Sequence, residues 1–182
     1  MKNLSILFLA LLSVSLFSCK DNTKEAELEV VTVDTAPESK ETYEVAQTDA
    51  VFKDSKVEAV FNQYIKVEAA LVNTDAQATS SAAKDLESML KEVKLDEEVQ
   101  KAVSIIASSD DIKIQRENFE HLSDGIEKML EGSLESGMLY KQYCPMAFNN
   151  RGASWISSSK DILNPYFGDK MLKCGRVDAE IK

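Results

Sequence analysis

The sequence is poor in the residues from which most catalytic and cofactor sites are built. It contains one histidine and one tryptophan, and its six glycines include no run that would cradle a phosphate group. A zinc motif with paired histidines is therefore excluded, and a Ser-His-Asp triad would depend on His121 alone. Cys144 with His121 is the nucleophile–base pair that remains formally available. These absences predict that the protein is not an enzyme.

Positive charge is also scarce. Lysine and arginine number 21 against 31 aspartates and glutamates, which gives a formal net charge of −10. Binding to the phosphates of a nucleic acid needs a basic patch, so the composition predicts no nucleic acid partner. A strongly acidic protein instead stays soluble and attracts cations non-specifically.

Long apolar runs are missing except near the start of the chain. Residues 4–17 are apolar and follow Lys2, but they are too few and too early to predict a membrane span. The run ends in Leu16-Phe17-Ser18-Cys19, which has the form of a bacterial lipobox. Residues 1–18 are therefore predicted to be a lipoprotein signal peptide, and Cys19 the acylated first residue of the mature chain. The alternative is an ordinary signal peptide followed by a chance cysteine.

Lipidation would place the protein in the bacterial cell envelope, facing the periplasm or the cell surface. More than one acyl chain on Cys19 would make the attachment to the membrane stable. Residues 19–53 are rich in acidic and small polar residues and show no sustained periodicity, so they are predicted to form a flexible acidic tether. Residues 54–182 have a typical single-domain length and include a C-terminal module at about 138–177.

Four segments of the predicted domain repeat apolar residues every three or four positions, which is typical of helices with one buried face. The four apolar stripes are Val57, Val60, Phe61, Tyr64, Ile65 and Leu71; Ala82, Leu86, Met89, Leu90 and Val93; Val99, Ala102, Val103 and Ile106; and Ile112, Phe119, Leu122, Ile126, Met129 and Leu130. Short connections favour antiparallel neighbours, so the predicted fold is mainly α, an up-and-down four-helix bundle. The glutamates and lysines on these helices are interpreted as lying on solvated faces.

Polar residues mark the predicted helix ends. Ser55 and Glu58 have the spacing of a capping box at the start of the first helix. Asn73-Thr74-Asp75 separates the first two helices, Asp96 precedes the third, and residues 108–111 separate the third from the fourth. Gly132 ends the fourth helix.

A different pattern begins after Gly137. Residues 138–143 and 153–157 are predicted to form a short β-hairpin across a turn at 149–152. Asn164-Pro165-Tyr166-Phe167-Gly168 is typical of a turn, because proline fixes φ and glycine accepts positive φ. We therefore expect a small irregular module that packs against the helices.

This module contains two mirrored sulfur pairs, Cys144-x-Met146 and Met171-x-x-Cys174. Thiolates and thioethers select Cu(I) over hard cations, so the four residues are the predicted metal ligands. A disulfide between the two cysteines is the main alternative. It would close a loop of about thirty residues and stabilise the fold by about 3.5 kcal/mol. The two methionines would then be core filler. Free thiols are the third possibility, and the residues alone leave all three open.

Three further side chains belong to this hypothesis. His121 and Trp155 are possible auxiliary residues of the metal site, although each has a plainer role available, at the edge of a helix stripe and as a packing anchor. Arg116 lies off the main stripe of the fourth helix. It either pairs with a carboxylate such as Asp169, which would dock the module onto the helices, or is an ordinary exposed arginine.

Residues 64–177 resemble a family of bacterial envelope domains of unknown function. The matching motifs are Asp111-Ile112-x-x-Gln115-Arg116-x-x-Phe119-x-x-Leu122-Ser123, Tyr143-Cys144-Pro145-Met146-Ala147, Gly152-Ala153-x-Trp155, Asn164-Pro165-Tyr166-Phe167-Gly168 and Met171-Leu172-x-Cys174-Gly175. The family occurs alone in lipoproteins and fused to the membrane-fusion (periplasmic adaptor) subunits of heavy-metal efflux pumps.

The resemblance implies a role with copper or silver, near efflux components. Together with the sulfur pairs it favours an envelope lipoprotein that binds Cu(I), to sequester it or to pass it to an efflux system. The alternative is a protein-interaction module without metal, in which a Cys144–Cys174 disulfide has a structural role.

Overall fold

The computed structural model describes residues 42–45, 47–93 and 95–182. The predicted signal peptide, Cys19 and most of the predicted tether lie outside the described residues. Among the residues that the structure describes, no helix has the length and apolar character needed to cross a membrane. The described residues belong to a compact unit that extends from Lys40 to Lys182.

The four predicted helices are present and make up most of the regular structure. They are α1 (Ser55–Val72), α2 (Ala76–Leu90), α3 (Glu97–Ser108) and α4 (Ile112–Leu130). Each packs against the next along the chain, and α1 also contacts α4. The apolar stripes face inward, since Phe61, Leu86, Ile106, Phe119 and Leu122 are completely buried. The prediction of four helices that pack together is confirmed.

Aspartates cap three of the helices by accepting hydrogen bonds from free backbone amides of the first turn. Asp54 accepts from Lys56 N, so α1 begins one residue after Asp54, and Ser55 is not the cap that its spacing predicted. Asp75 accepts from Ala78 N at the start of α2, and Asp111 accepts from Lys113 N at the start of α4.

Five short strands complete the unit. They are β1 (Val51–Phe52), β2 (Leu134–Ser136), β3 (Leu139–Cys144), β4 (Ala153–Ser157) and β5 (Arg176–Ile181). β1 pairs with β2, and β3 lies between β4 and β5 in a three-stranded antiparallel sheet. The β3–β4 pairing confirms the predicted hairpin. The β1–β2 pair and β5 were not predicted. β5 is almost wholly exposed, so its sequence lacks the run of buried apolar residues that predicts a strand.

Part of the segment that the sequence assigned to the tether packs against the helices. Phe52 is buried and its ring lies 5.6 Å from that of Phe61. Tyr43 N donates to Asn73 Oδ1 (2.9 Å), and Asn73 Nδ2 donates back to Tyr43 O (2.8 Å) at the end of α1. Residues 42–45 and 47–53 are thus in contact with the helical part of the unit.

A chain of aromatic contacts joins the helices to the sheet. Tyr64 on α1 stacks on Phe119 on α4 at 5.2 Å, and Phe119 contacts Tyr166 at 6.0 Å. Tyr166 then meets the edge of Trp155 on β4 at 5.9 Å. The hydroxyl of Tyr64 also accepts from Ile156 N at 3.1 Å. The module therefore shares one core with the helices.

Candidate functional site

The two predicted cysteine ligands lie side by side. Cys144 is the last residue of β3 and is completely buried, whereas Cys174 lies in the loop before β5 and is half-buried. Their Sγ atoms are 3.4 Å apart although 30 residues separate them along the chain. Both are free thiols. The fold therefore assembles a dithiol pair with one buried and one accessible sulfur.

Asn164 holds the second thiol in place. Its Nδ2 donates to Cys174 O (2.6 Å), and its backbone N donates to Leu172 O (2.8 Å). Its Oδ1 accepts from Tyr166 N at 2.8 Å, which fixes the turn that follows. Asn164 is completely buried, and sequence reasoning missed this positioning role although it recognised the turn that Asn164 begins.

Protons compete with a metal ion for this pair. Burial raises the pKa of the Cys174 thiol, and the hydrogen bond and charge of Cys144 raise it further. Cys174 is therefore protonated at neutral pH. Because a soft metal binds the thiolate, metal binding must displace that proton. A thiol with a raised pKa is not an activated nucleophile, because the thiolate is the reactive form.

The two predicted methionine ligands line one surface groove of about 990 Å³. Met146 is 47% exposed and Met171 is half-buried, and Phe148 and Phe167 belong to the same lining. Neither cysteine belongs to that lining. The structure thus brings the two thiols together, and it places both methionines on one groove that the cysteines do not line.

The groove includes a turn with unusual backbone geometry. Phe148, Asn149 and Asn150 have φ values of 50°, 59° and 66°, a left-handed region that residues other than glycine rarely adopt. The turn places the Phe148 ring against Tyr166, with the guanidinium of Arg151 over its other side. These contacts of Phe148 stabilise the turn in its unfavourable backbone conformation.

His121 does not contact the thiol pair. It lies on α4 with a half-exposed side chain, and its Nδ1 is 3.4 Å from Glu98 Oε1 on α3. Trp155 is completely buried and approaches the loop after Cys174, since a Cβ on Gly175 would lie 3.1 Å from its ring. Its position agrees with a packing anchor beside the dithiol.

Arg116 connects the module to the helices, whereas the sequence prediction for such docking named a carboxylate partner such as Asp169. Its partners are carbonyl and hydroxyl oxygens: Nε donates to Pro165 O (2.8 Å), and Nη2 donates to Leu71 O and Thr74 Oγ1 (both 3.1 Å). Burial lowers the pKa of Arg116 and the charge of Asp169 raises it. The guanidinium thus adds a side-chain donor to a carbonyl at the C-terminus of α1 that also accepts from Thr74 N.

Glu68 is a buried carboxyl that the sequence assigned to a solvated face. It is 7% exposed, and its position four residues after Tyr64 on the buried stripe of α1 was the available signal. Burial raises the pKa of Glu68 well above its usual value, while Ser157 and Trp155 lower it by hydrogen bonding. The Trp155 indole N–H nevertheless has no hydrogen-bond partner of standard geometry. The indole therefore faces the carboxyl at longer range.

Among the described residues, no group of three or more histidine, cysteine, aspartate and glutamate side chains is arranged to hold a metal ion. Methionine sulfur is outside that set of donors. A metal site here would depend on the cysteine pair, with thioether or external ligands completing the coordination.

Residues 60–137 match the family described as "Protein of unknown function (DUF3347)". No curated protein and no solved structure shows significant similarity to the chain. The match supports a domain family of unknown function and runs from within α1 to Gly137, which follows β2. It includes Glu68 and Arg116 but neither cysteine of the dithiol pair.

Proposed function

We propose that this chain is a non-catalytic envelope lipoprotein, attached to the membrane through Cys19, that binds Cu(I) at the Cys144–Cys174 pair. It would sequester the ion or pass it to a heavy-metal efflux component. The 3.4 Å separation of the two sulfurs carries the proposal, because sequence spacing alone does not bring them together. Two convergent cysteine sulfurs suit a soft monovalent ion.

The surroundings of the pair support a reversible site. Cys144 is buried and would fix the ion, while Cys174 is half-buried and leaves one side open to a donor or acceptor. The thioethers of Met146 and Met171 lie two and three residues from the cysteines along the chain, and they are the candidate additional ligands. Four packed helices, which we interpret as an up-and-down bundle, support the module.

An anaerobic Cu(I) titration of the reduced full-length chain against a chromophoric competitor tests the proposal, after a thiol count. We expect one ion per chain, with binding lost in Cys144→Ser and in Cys174→Ser. Met146→Leu and Met171→Leu preserve size and serve as matched controls for the thioethers. The proposal fails if the fully reduced protein does not compete for Cu(I).

A second function, a protein-interaction module, is favoured by the groove that exposes Met146 and by the same sulfur distance. Closing 3.4 Å to the length of a disulfide, about 2.05 Å, needs only a small movement of Cys174. The disulfide would then hold the loop before β5 against the sheet. This alternative predicts that the secreted protein has no titratable thiol at the pair, that Cu(I) does not change its melting temperature, and that reduction lowers its stability by about 3.5 kcal/mol.

A further inference from the structure

A small pocket lies between α1, the segment at residues 43–45 and the loop that follows β4. Its volume is about 100 Å³. One part of the wall is apolar and consists of Val45, Ile65, Val72 and Leu163. The polar part of the wall includes Glu68 and Ser157, together with Glu44, Ser158, Ser159 and Asp161.

Glu68 has no countercharge in this pocket. The side chain is more than nine-tenths buried, and none of the ion pairs among the described residues involves its carboxyl. Its hydrogen-bonding neighbours are neutral groups, the Ser157 hydroxyl and, at longer range, the indole N–H of Trp155. A buried carboxylate without a cation is costly, so a carboxyl at the wall of a pocket is suited to a ligand that brings the charge.

We propose that this pocket binds a small primary alkylammonium ion, with its ammonium group on the Glu68 carboxylate and its alkyl chain against Ile65, Val72 and Leu163. The ammonium group has three N–H donors, and the Ser157 hydroxyl is an available second acceptor. Glu44 and Asp161 also line the pocket and add negative potential at its mouth.

The pocket limits the ligand by size. A pocket of about 100 Å³ admits only a small ligand, so a short, unbranched alkylammonium such as n-butylammonium is the ligand to test. The site is distinct from the Cys144–Cys174 pair, and the inference does not depend on the proposed copper function.

The pH dependence of binding follows from the groups that face Glu68. These are Tyr43 and Glu44 from the segment before β1, Tyr64 from α1 and Asp161 from the loop after β4. The ligand needs the ionised carboxyl, and the pKa of Glu68 is raised by burial. Affinity should therefore rise with pH until that carboxyl is fully ionised, while the alkylammonium itself stays protonated.

The experiment titrates the full-length chain with n-butylammonium chloride and follows the emission of Trp155, the only tryptophan in the chain. n-Butanol in matched sodium chloride tests the same alkyl chain without the charge. We expect a saturable change with butylammonium and none with butanol. Glu68→Gln should weaken binding at least about tenfold, because a charged hydrogen-bonded contact is lost.

Two variants test whether binding depends on Glu68 and its pocket or only on the overall negative charge of the protein. Glu135→Gln removes the same charge from an exposed position on β2 and should bind like the wild type. Ala69→Leu retains Glu68 but adds bulk at the pocket wall, so it should abolish the response even if Glu68→Gln folds poorly. Absence of saturation in the wild type, equal responses to butanol and butylammonium, or unchanged binding in a folded Glu68→Gln protein would each overturn the proposal.

Discussion

Arg116 Nε donates a hydrogen bond of 2.8 Å to the carbonyl oxygen of Pro165, which connects α4 to the C-terminal module. The same guanidinium reaches Leu71 O at the end of α1. One side chain thus joins two helices and the module. It does so at backbone oxygens, which the sequence alone does not single out as partners.

Removing this guanidinium should destabilise the whole unit. We expect Arg116→Ala to lower the free energy of unfolding by about 2–3 kcal/mol, since several charge-assisted hydrogen bonds are lost. Arg116→Lys should recover only part of this stability, because an ammonium cannot reproduce the fork geometry.

Urea denaturation provides the measurement. Arg151→Ala breaks a pair with Glu120 in which the arginine side chain is 61% exposed, and as the control it should lower the free energy of unfolding by less. Equal losses at the two positions would contradict the docking role.

Gly168 allows the module to approach α1 closely. Its φ is +57°, and a Cβ there would meet Thr74 Oγ1 and would lie 2.8 Å from Val72 O and 2.9 Å from Arg116 Nη2. Gly168→Ala should therefore lower the free energy of unfolding by more than about 2 kcal/mol, because the methyl group overpacks the contact and the left-handed backbone disfavours alanine. Gly132 has a similar φ of +66° with nothing within 4 Å, so Gly132→Ala should cost only about 1 kcal/mol. Thermal or urea unfolding of both variants measures the difference, and similar values would refute the steric explanation.

Copper affinity should depend on pH through the thiols. The pKa of Cys174 is raised, so each thiol proton displaced on binding increases the apparent Cu(I) affinity by up to about tenfold per pH unit below that pKa. Competition titrations at pH 6, 7 and 8 should show this increase, and a pH indicator in weak buffer should detect the released protons. A pH-independent affinity would mean that the thiols are not the ligands.

Glu68 should make stability fall as pH rises. Its pKa in the folded state lies well above the usual 4.5, so between those two values the native protein holds a proton that the unfolded chain has lost. The free energy of unfolding should therefore decrease with pH in that window, with a slope of up to about 1.4 kcal/mol per pH unit. Glu68→Gln should remove this slope and be more stable than the wild type at pH 8.

Urea denaturation from pH 4 to pH 8 is the measurement for this prediction. Glu135→Gln is the matched control, because it removes an exposed carboxyl and should leave the slope unchanged. If wild type and Glu68→Gln keep parallel profiles over the whole range, the buried carboxyl is not the source of the pH dependence.

Local patterns were enough to predict the helices and the hairpin. The apolar stripe of α4 and its cap at Asp111 depend on residues within a few turns of one another, and so does the pairing of β3 with β4 across a short turn. Glu68 was missed because its type suggested solvent. Its spacing from Tyr64 placed it on the buried face, so here the position was the better indicator.

The sequence by itself determined the acidic character, the order and extent of the four helices, and the presence of two cysteines and two methionines in one C-terminal module. Only the tertiary structure decided which of these sulfurs meet. The approach of Cys174 to Cys144 depends on the hydrogen bonds of Asn164 and on the pairing of β5 with β3. Those contacts join residues far apart in the chain, and such contacts leave no periodic pattern in a sequence because they depend on the packed backbone.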